Sequence, residues 1–239
     1  MASNPGSYPL GSNFTPFTPD PNGDLKNITA VEQQLQADNK TLGSLSGFSA
    51  VYYFYTTEMP EQLDLQSDCM ILETNQIGDL NNYSEYATML KTEFTDCNPQ
   101  DKNYNVNTAN TYSGEFSSQL NGVLTALKSD TILTPQTVNT VTEPLTSLST
   151  TTQGVSLSTI WTEANNTTPG TNNNNASILQ TVLESFSVET ASTQTLSQET
   201  ENNLQFFTNS YNQILSSAKQ SISAFVQSGQ FVDSLMTSS

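Results

Sequence analysis

The chain has 239 residues, of which 23 are acidic and six are lysine, with no arginine and no histidine, for a formal charge of −17. Without histidine it lacks the usual general base, proton shuttle and metal ligand near neutral pH, and without arginine the usual clamp for phosphate and carboxylate groups. Nucleic-acid binding depends on neutralising phosphates with Lys and Arg, so an acidic chain of this kind is repelled by it. Catalysis, anion binding and nucleic-acid binding are all disfavoured, and no enzyme, cofactor or small-molecule substrate is expected.

Apolar residues make up 34%, against the ~45–50% usual in globular domains, and uncharged polar residues dominate the rest. The expected core is thin, a seam between helices. Charged residues are only 12%, so disorder driven by high charge does not fit either. Such a polar, weakly charged surface suits an extracellular or assembled particle, and is equally what a biased composition produces. No apolar run approaches the ~18 residues of a membrane span. The start, Met1-Ala-Ser-Asn-Pro-Gly-Ser-Tyr-Pro-Leu10, has neither a basic nor an apolar region, so a cleaved secretory signal is not expected. Asn-x-Ser/Thr triplets at Asn13, Asn27 and Asn82 are what an Asn-, Ser- and Thr-rich chain produces by chance.

Residues 1–25 are dense in proline and glycine and read as a flexible arm. The remainder, 26–239, reads as one elongated helical unit without an internal repeat of fixed period. A short amphipathic segment carries Ile28, Val31 and Leu35, with Glu32, Gln33 and Gln34 opposite. The densest apolar patch follows: Phe48, Val51, Tyr52, Tyr53, Phe54 and Tyr55. At this length it fits either a short strand or a buried helical stub, and serves either as core or as an interaction patch touching a membrane or another subunit. Pro60 reads as the first position of a helix. From there Leu65, Cys69, Leu72, Leu80, Tyr83, Ala87, Leu90, Phe94 and Cys97 recur at helical spacing, giving one helix over 60–97 that Asn98-Pro99 stops. Gly78 is its weak point and a candidate kink.

Tyr112, Phe116, Leu120, Val123 and Leu127 mark another helix. Thr134-Pro135 is a cap and first-position pair preceding Val138, Val141, Leu145 and Leu148, with Pro144 a candidate break. The whole of 110–164 is read as a polar, loop-rich, variable middle, and 165–175 as a loop. A long helix over 176–235 closes the chain. Leu204, Phe207, Tyr211, Ile214, Ala218, Ile222, Phe225 and Val232 form its near-heptad stripe. Upstream, Leu179, Val182 and Phe186 begin the same stripe, which Thr193, Ser197 and Thr200 interrupt. The fold class is mainly α, with the 60–97 and 176–235 helices pairing as a coiled-coil-like core.

Little here carries chemistry. On an unbroken helix Cys69 and Cys97 stand roughly 42 Å apart, too far for an intrachain disulfide. They read as buried apolar residues, unless a hairpin near Gly78 brings them together. Two thiols without histidine leave a zinc site unfilled. Acid pairs such as Glu58 with Glu61, or Asp64 with Asp68, look like solvated helix-surface acids. The segment 20–24 lacks the closing Glu of a calcium loop and reads as a turn. The stripe on the last helix must be covered, within the subunit or by its neighbours.

A polar start, the stretch Gly47-Phe-Ser-Ala-Val-Tyr-Tyr-Phe-Tyr55 leading into a polar helix, and the segment Asn203-Leu-Gln-Phe-Phe-Thr-Asn-Ser-Tyr-Asn-Gln-Ile-Leu-Ser-Ser-Ala218 follow in order. This layout resembles the filament and needle-tip proteins of type III secretion systems, the EspA-like filament subunits in particular. The resemblance implies paired terminal helices, polymerisation through them, an outward-facing middle, an extracellular location and a secretion chaperone as partner. A virus, phage or surface-layer particle protein, which predicts more strand, and a secreted effector or adhesin that binds a host protein remain alternatives.

Overall fold

The computed structural model describes residues 14–21, 25–102, 104–165 and 174–237, and its secondary structure is helical throughout, with no strand among the described residues. Seven helices follow in order: α1 (Leu25–Leu42), α2 (Gly47–Tyr53), α3 (Met59–Asp96), α4 (Val106–Ser129), α5 (Pro135–Thr152), α6 (Leu157–Ala164) and α7 (Asn174–Thr237). Where the sequence suggests a single unit over 26–239, the chain divides into two compact units. One comprises Met1–Pro19 with Gln76–Glu199, the other Asp20–Asn75 with Thr200–Ser239. A contiguous reading misses this division because two of its three boundaries fall inside helices, α3 and α7, that continue without a break.

The unit containing Gln76–Glu199 holds the dense core. Phe94 is fully buried at its centre, with ring centroids 5.3 Å from Trp161, 6.2 Å from Phe186 and 6.5 Å from Phe116. The Trp161 indole donates to the Phe94 carbonyl at 2.8 Å. That carbonyl lies in the last turn of α3, where the chain tightens so that the Cys97 amide donates to it at 3.3 Å, and Trp161 adds a second donor while filling the core. Around this cluster pack Leu80, Tyr83 and Leu90 of α3, Leu120, Val123 and Leu127 of α4, Val141, Leu145 and Leu148 of α5, Leu157 and Ile160 of α6, and Val182 of α7.

The segment 110–164 is therefore core, not a loop-rich variable middle. Most of its Ser, Thr and Asn residues stand on outer faces or at caps, with Thr152 a buried exception, while apolar residues at three- and four-residue spacing point inward. Asn105 accepts from the Asn107 and Thr108 amides to start α4, and Thr134 accepts from the Thr137 amide ahead of Pro135 to start α5. Gly154, with φ +74°, turns the chain out of α5 in the left-handed region where glycine is favoured. Pro144 does not break α5: it is buried with Val141, Leu145 and Leu148, and this packing offsets the one backbone hydrogen bond it removes.

Two further expectations for α3 are corrected. Pro60 does not open a helix: α2 runs on through a π-helical stretch, Phe54–Glu58, into α3, and the Met59 amide donates to the Phe54 carbonyl five residues back. Proline offers no amide and clashes with the carbonyl four residues earlier, and the wider π turn relieves both problems. Gly78 does not kink α3. A Cβ built there would lie 2.6 Å from the Phe17 ring, so the glycine is a seat for an aromatic side chain. Phe17 belongs to the expected flexible arm, whose residues 14–20 instead pack on α3. Residues 1–13 and 22–24 of the arm lie outside the described ones, as does most of the expected loop 165–175.

In the unit containing Asp20–Asn75, α1 buries Ile28 and Leu35 and leaves Glu32, Gln33 and Gln34 exposed, as its amphipathic pattern predicts. The aromatic stretch around Val51–Tyr55 is helical, which decides between the strand and helix readings. Cys69 and Cys97 are both buried free thiols.

Replacing Phe94 with Ala opens a cavity at the meeting point of α3, α4, α6 and α7. The expected loss is about 3–5 kcal/mol in urea unfolding, against about 1 kcal/mol for Trp161→Phe, which removes only the indole donor.

Candidate functional site

Two kinds of feature stand out from ordinary helical packing: the apolar stripe of α7, and carboxyl groups buried among neutral partners.

The stripe lies in the unit containing Thr200–Ser239. Leu204, Phe207, Tyr211 and Ile214 are half-buried and Ala218 is buried. Ile222 continues the same heptad register, yet it is 54% exposed, and Val226, one helical turn on, is 52% exposed. The side chains of Phe225 and Val232, also expected on this stripe, lie outside the described residues. Phe206, one residue off the register, is 65% exposed with its ring against Phe207. Heptad reasoning misses Phe206 because it selects a single face. The aromatic patch is divided too. Val51 and Tyr52 are exposed, while Tyr53, Phe54 and Tyr55 are half-buried; the Phe48 side chain lies outside the described residues. A groove of about 470 Å³ runs between Phe54, Tyr55 and Met59 on one side and Gln213, Ile214 and Ala218 on the other. The expected packing and patch residues thus meet in one unit, at a surface that is part covered and part open.

The polar residues that interrupt the stripe lie on an inward face. Glu189 is fully buried and accepts from the buried Thr193 hydroxyl at 3.0 Å, and Thr200 is also buried. Burial pushes Glu189 up to about 7. Glu93, 4% exposed, is likewise pushed to about 7 by burial. One oxygen of each of these carboxyls is buried with no hydrogen-bond partner, a setting that penalises the anion.

Two carboxyl pairs go further. In the unit containing Gln76–Glu199, Asp79 faces Asp130, the residue that follows α4. Asp130 accepts from the Tyr83 hydroxyl at 3.0 Å and from the Ile132 and Leu133 amides at 2.8 and 3.0 Å. Asp79 is almost fully buried, and desolvation, with the hydrogen bond and charge of Asp130, raises it to about 8. In the other unit Asp38 accepts from the Tyr53 hydroxyl at 2.5 Å and from Gln34 at 3.0 Å. The Tyr53 hydrogen bond leads in holding Asp38 below the usual carboxylate range, while its partner Glu61 is raised to about 7, chiefly by hydrogen bonding to Asp38. In each pair one carboxyl holds its proton to a higher pH than an isolated carboxyl does. Sequence reasoning looked for acid pairs close along one helix and missed these, whose members are 51 and 23 positions apart.

Two of these groups link segments through a shared hydrogen bond: Asp79 joins α3 to Asp130 after α4, and Glu61 joins α3 to Asp38 of α1. Among the described residues no cluster of three or more Cys, Asp or Glu is arranged to hold a metal ion, and no helix is long and apolar enough to cross a membrane. Compared with family models, curated proteins and solved structures, the chain matches none.

The raised carboxyls make stability fall with rising pH. Between about pH 4.5 and 8 the unfolded chain has released protons that the folded chain still holds, so each such group weakens the fold progressively across this window. Asp38, with its lowered pKa, acts only below it. The expected melting temperature is higher at pH 5 than at pH 8. Asp79→Asn should shrink that difference by at least about 1 kcal/mol, roughly 2–4 °C. Melting temperatures that rise from pH 5 to pH 8 would contradict this.

Proposed function

We propose that this protein is an extracellular structural subunit that assembles with copies of itself through the uncovered part of α7. The observation that carries the reading is the stripe's change of state after one residue: Ala218 is buried, while Ile222, the next on the stripe, and Val226, one helical turn further and beside it, are open to solvent. An apolar stripe sustained along a helix is expected to find cover, and nothing in the described chain covers it beyond Ala218. Val51, Tyr52 and Phe206 add apolar surface in the same unit. An acidic chain without arginine or histidine supports a structural role over a catalytic one, since the usual side chains for proton transfer and anion binding are missing.

The pairing of α3 with α7 as an antiparallel coiled-coil-like core is part of this proposal. In the unit containing Asp20–Asn75, Glu73 hydrogen-bonds Asn203 while Met70, three residues earlier, accepts from the Thr208 hydroxyl at 3.4 Å, so the later residue of α3 meets the earlier one of α7. This order favours an antiparallel pair. A filament or secretion-needle tip fits such a subunit, with a secretion chaperone as a partner, and no nucleic acid or small-molecule substrate is called for. The absence of strand among the described residues favours this reading over a virus or surface-layer particle protein.

The test separates covered from open positions on one stripe. Ile222→Asp should abolish any polymer seen by negative-stain microscopy while changing monomer stability by no more than about 0.5 kcal/mol, as at exposed sites generally. Ile214→Asp places a charge in the half-buried part and should cost a few kcal/mol of folding stability. Wild-type protein that stays monomeric at high concentration, or Ile222→Asp protein that polymerises normally, would sink the proposal.

A further inference from the structure

We propose that the face of α3 formed by Gly78, Asn82, Tyr83 and Tyr86 is a docking groove for a Phe-Thr-Pro repeat, and that in an assembly it takes this repeat from a second copy of the chain. The repeat is Phe14-Thr-Pro-Phe17-Thr-Pro19, two copies of a tripeptide. Here the chain's own repeat occupies the groove.

The fit has the marks of recognition. The Phe14 ring stacks on Tyr83 at 5.3 Å and 13°, and meets Tyr86 edge-on at 4.6 Å and 73°. Phe17 lies over Gly78 so closely that no larger residue fits beneath it. Between the two rings the Thr15 backbone is held at both ends: its amide donates to the Tyr86 hydroxyl at 3.1 Å, and its carbonyl accepts from the Asn82 amide at 3.2 Å. Phe14 and Phe17 are half-buried, while Thr15, Pro16 and Thr18 are exposed. Three-residue spacing with flanking prolines is the pattern of a polyproline II ligand, whose every third side chain enters an aromatic-lined groove and which loses little entropy on docking.

The second copy is indicated by how the repeat is attached. Pro19 is the last residue that groups with the unit containing α3's groove, and Asp20 the first that groups with the other unit. There the Asp20 backbone is pinned separately, its amide donating to the Asn75 side chain at 3.0 Å and its carbonyl accepting from it at 2.9 Å. The repeat and the Asp20 anchor thus rest on separate contacts, so the repeat leaves the groove without breaking the anchor's hydrogen bonds. A repeat from another copy makes the same contacts that the chain's own repeat makes, so concentration decides which one is seated. Because each copy donates one repeat and offers one groove, the association either closes as a reciprocal pair or runs on head-to-tail. It is independent of the α7 stripe.

The test uses full-length protein in an Ile222→Asp background, which removes association through α7. Phe14→Ser/Phe17→Ser vacates the groove. A fluorescent peptide of residues 12–21 should bind this variant saturably and at least tenfold more tightly than it binds protein with an intact repeat, which competes. Adding Gly78→Leu or, should that chain fail to show a helical spectrum, Tyr86→Ala should abolish the binding. A mixture of the repeat-dead and groove-blocked variants should then form 1:1 heterodimers in sedimentation, with each variant monomeric alone. No binding to the vacated groove, binding unaffected by both groove substitutions, or a mixture that stays monomeric at concentrations saturating for the peptide would overturn the proposal. None of these outcomes bears on assembly through α7.

Discussion

The contact that the rest of the structure depends on joins the Phe94 ring and carbonyl to Trp161. With 34% apolar residues the chain cannot build a broad interior, so its burial is concentrated where four helices meet. Phe94, Phe116, Trp161 and Phe186 come from α3, α4, α6 and α7, and their rings share one cluster. Aromatic side chains bury the most surface per residue, which is what a chain short of apolar residues requires. The single tryptophan also donates to a carbonyl in the last turn of α3, so the end of one helix and the position of another are set together.

A second constraint follows from composition. Buried acids are ordinarily paired with arginine or lysine, but this chain has 23 acids and six lysines. Asp79, Glu93 and Glu189 are buried beside amides, hydroxyls or other carboxyls instead, and burial drives each toward its neutral form. A neutral acid is a good hydrogen-bond donor, and Asp79 beside Asp130 ties α3 to the turn that opens α5. The fold thus uses protons where another would use counter-charges, and its stability is correspondingly linked to pH.

How much of this could be read from residues alone follows from the range of the interactions involved. The stripe from Cys69 to Cys97 on α3, the cap pair Thr134-Pro135 and the single long last helix are periodic or local signals, and all are present in the structure. Gly78 and Pro60 misled because their conformational preferences were weighed without their neighbours: Phe17 explains the one and a π turn the other. The 110–164 segment was misjudged by its average polarity, although its inward positions alone were informative. The carboxyl pairs and the Phe14–Tyr83 contact join residues far apart in sequence, and no local pattern announces them. At the α7 stripe the register was legible but not the point, just after Ala218, where its cover ends.

Self-association through that uncovered stretch is the central claim, and it is local enough to be mapped. Hydrogen exchange of the wild-type chain, measured at low and high protein concentration, tests it most directly. The account predicts that amides of α7 around Ile222 and Val226 gain protection as concentration rises, while those around Phe94 and Leu120 are unchanged. Exchange that is the same at every concentration throughout α7 would contradict it.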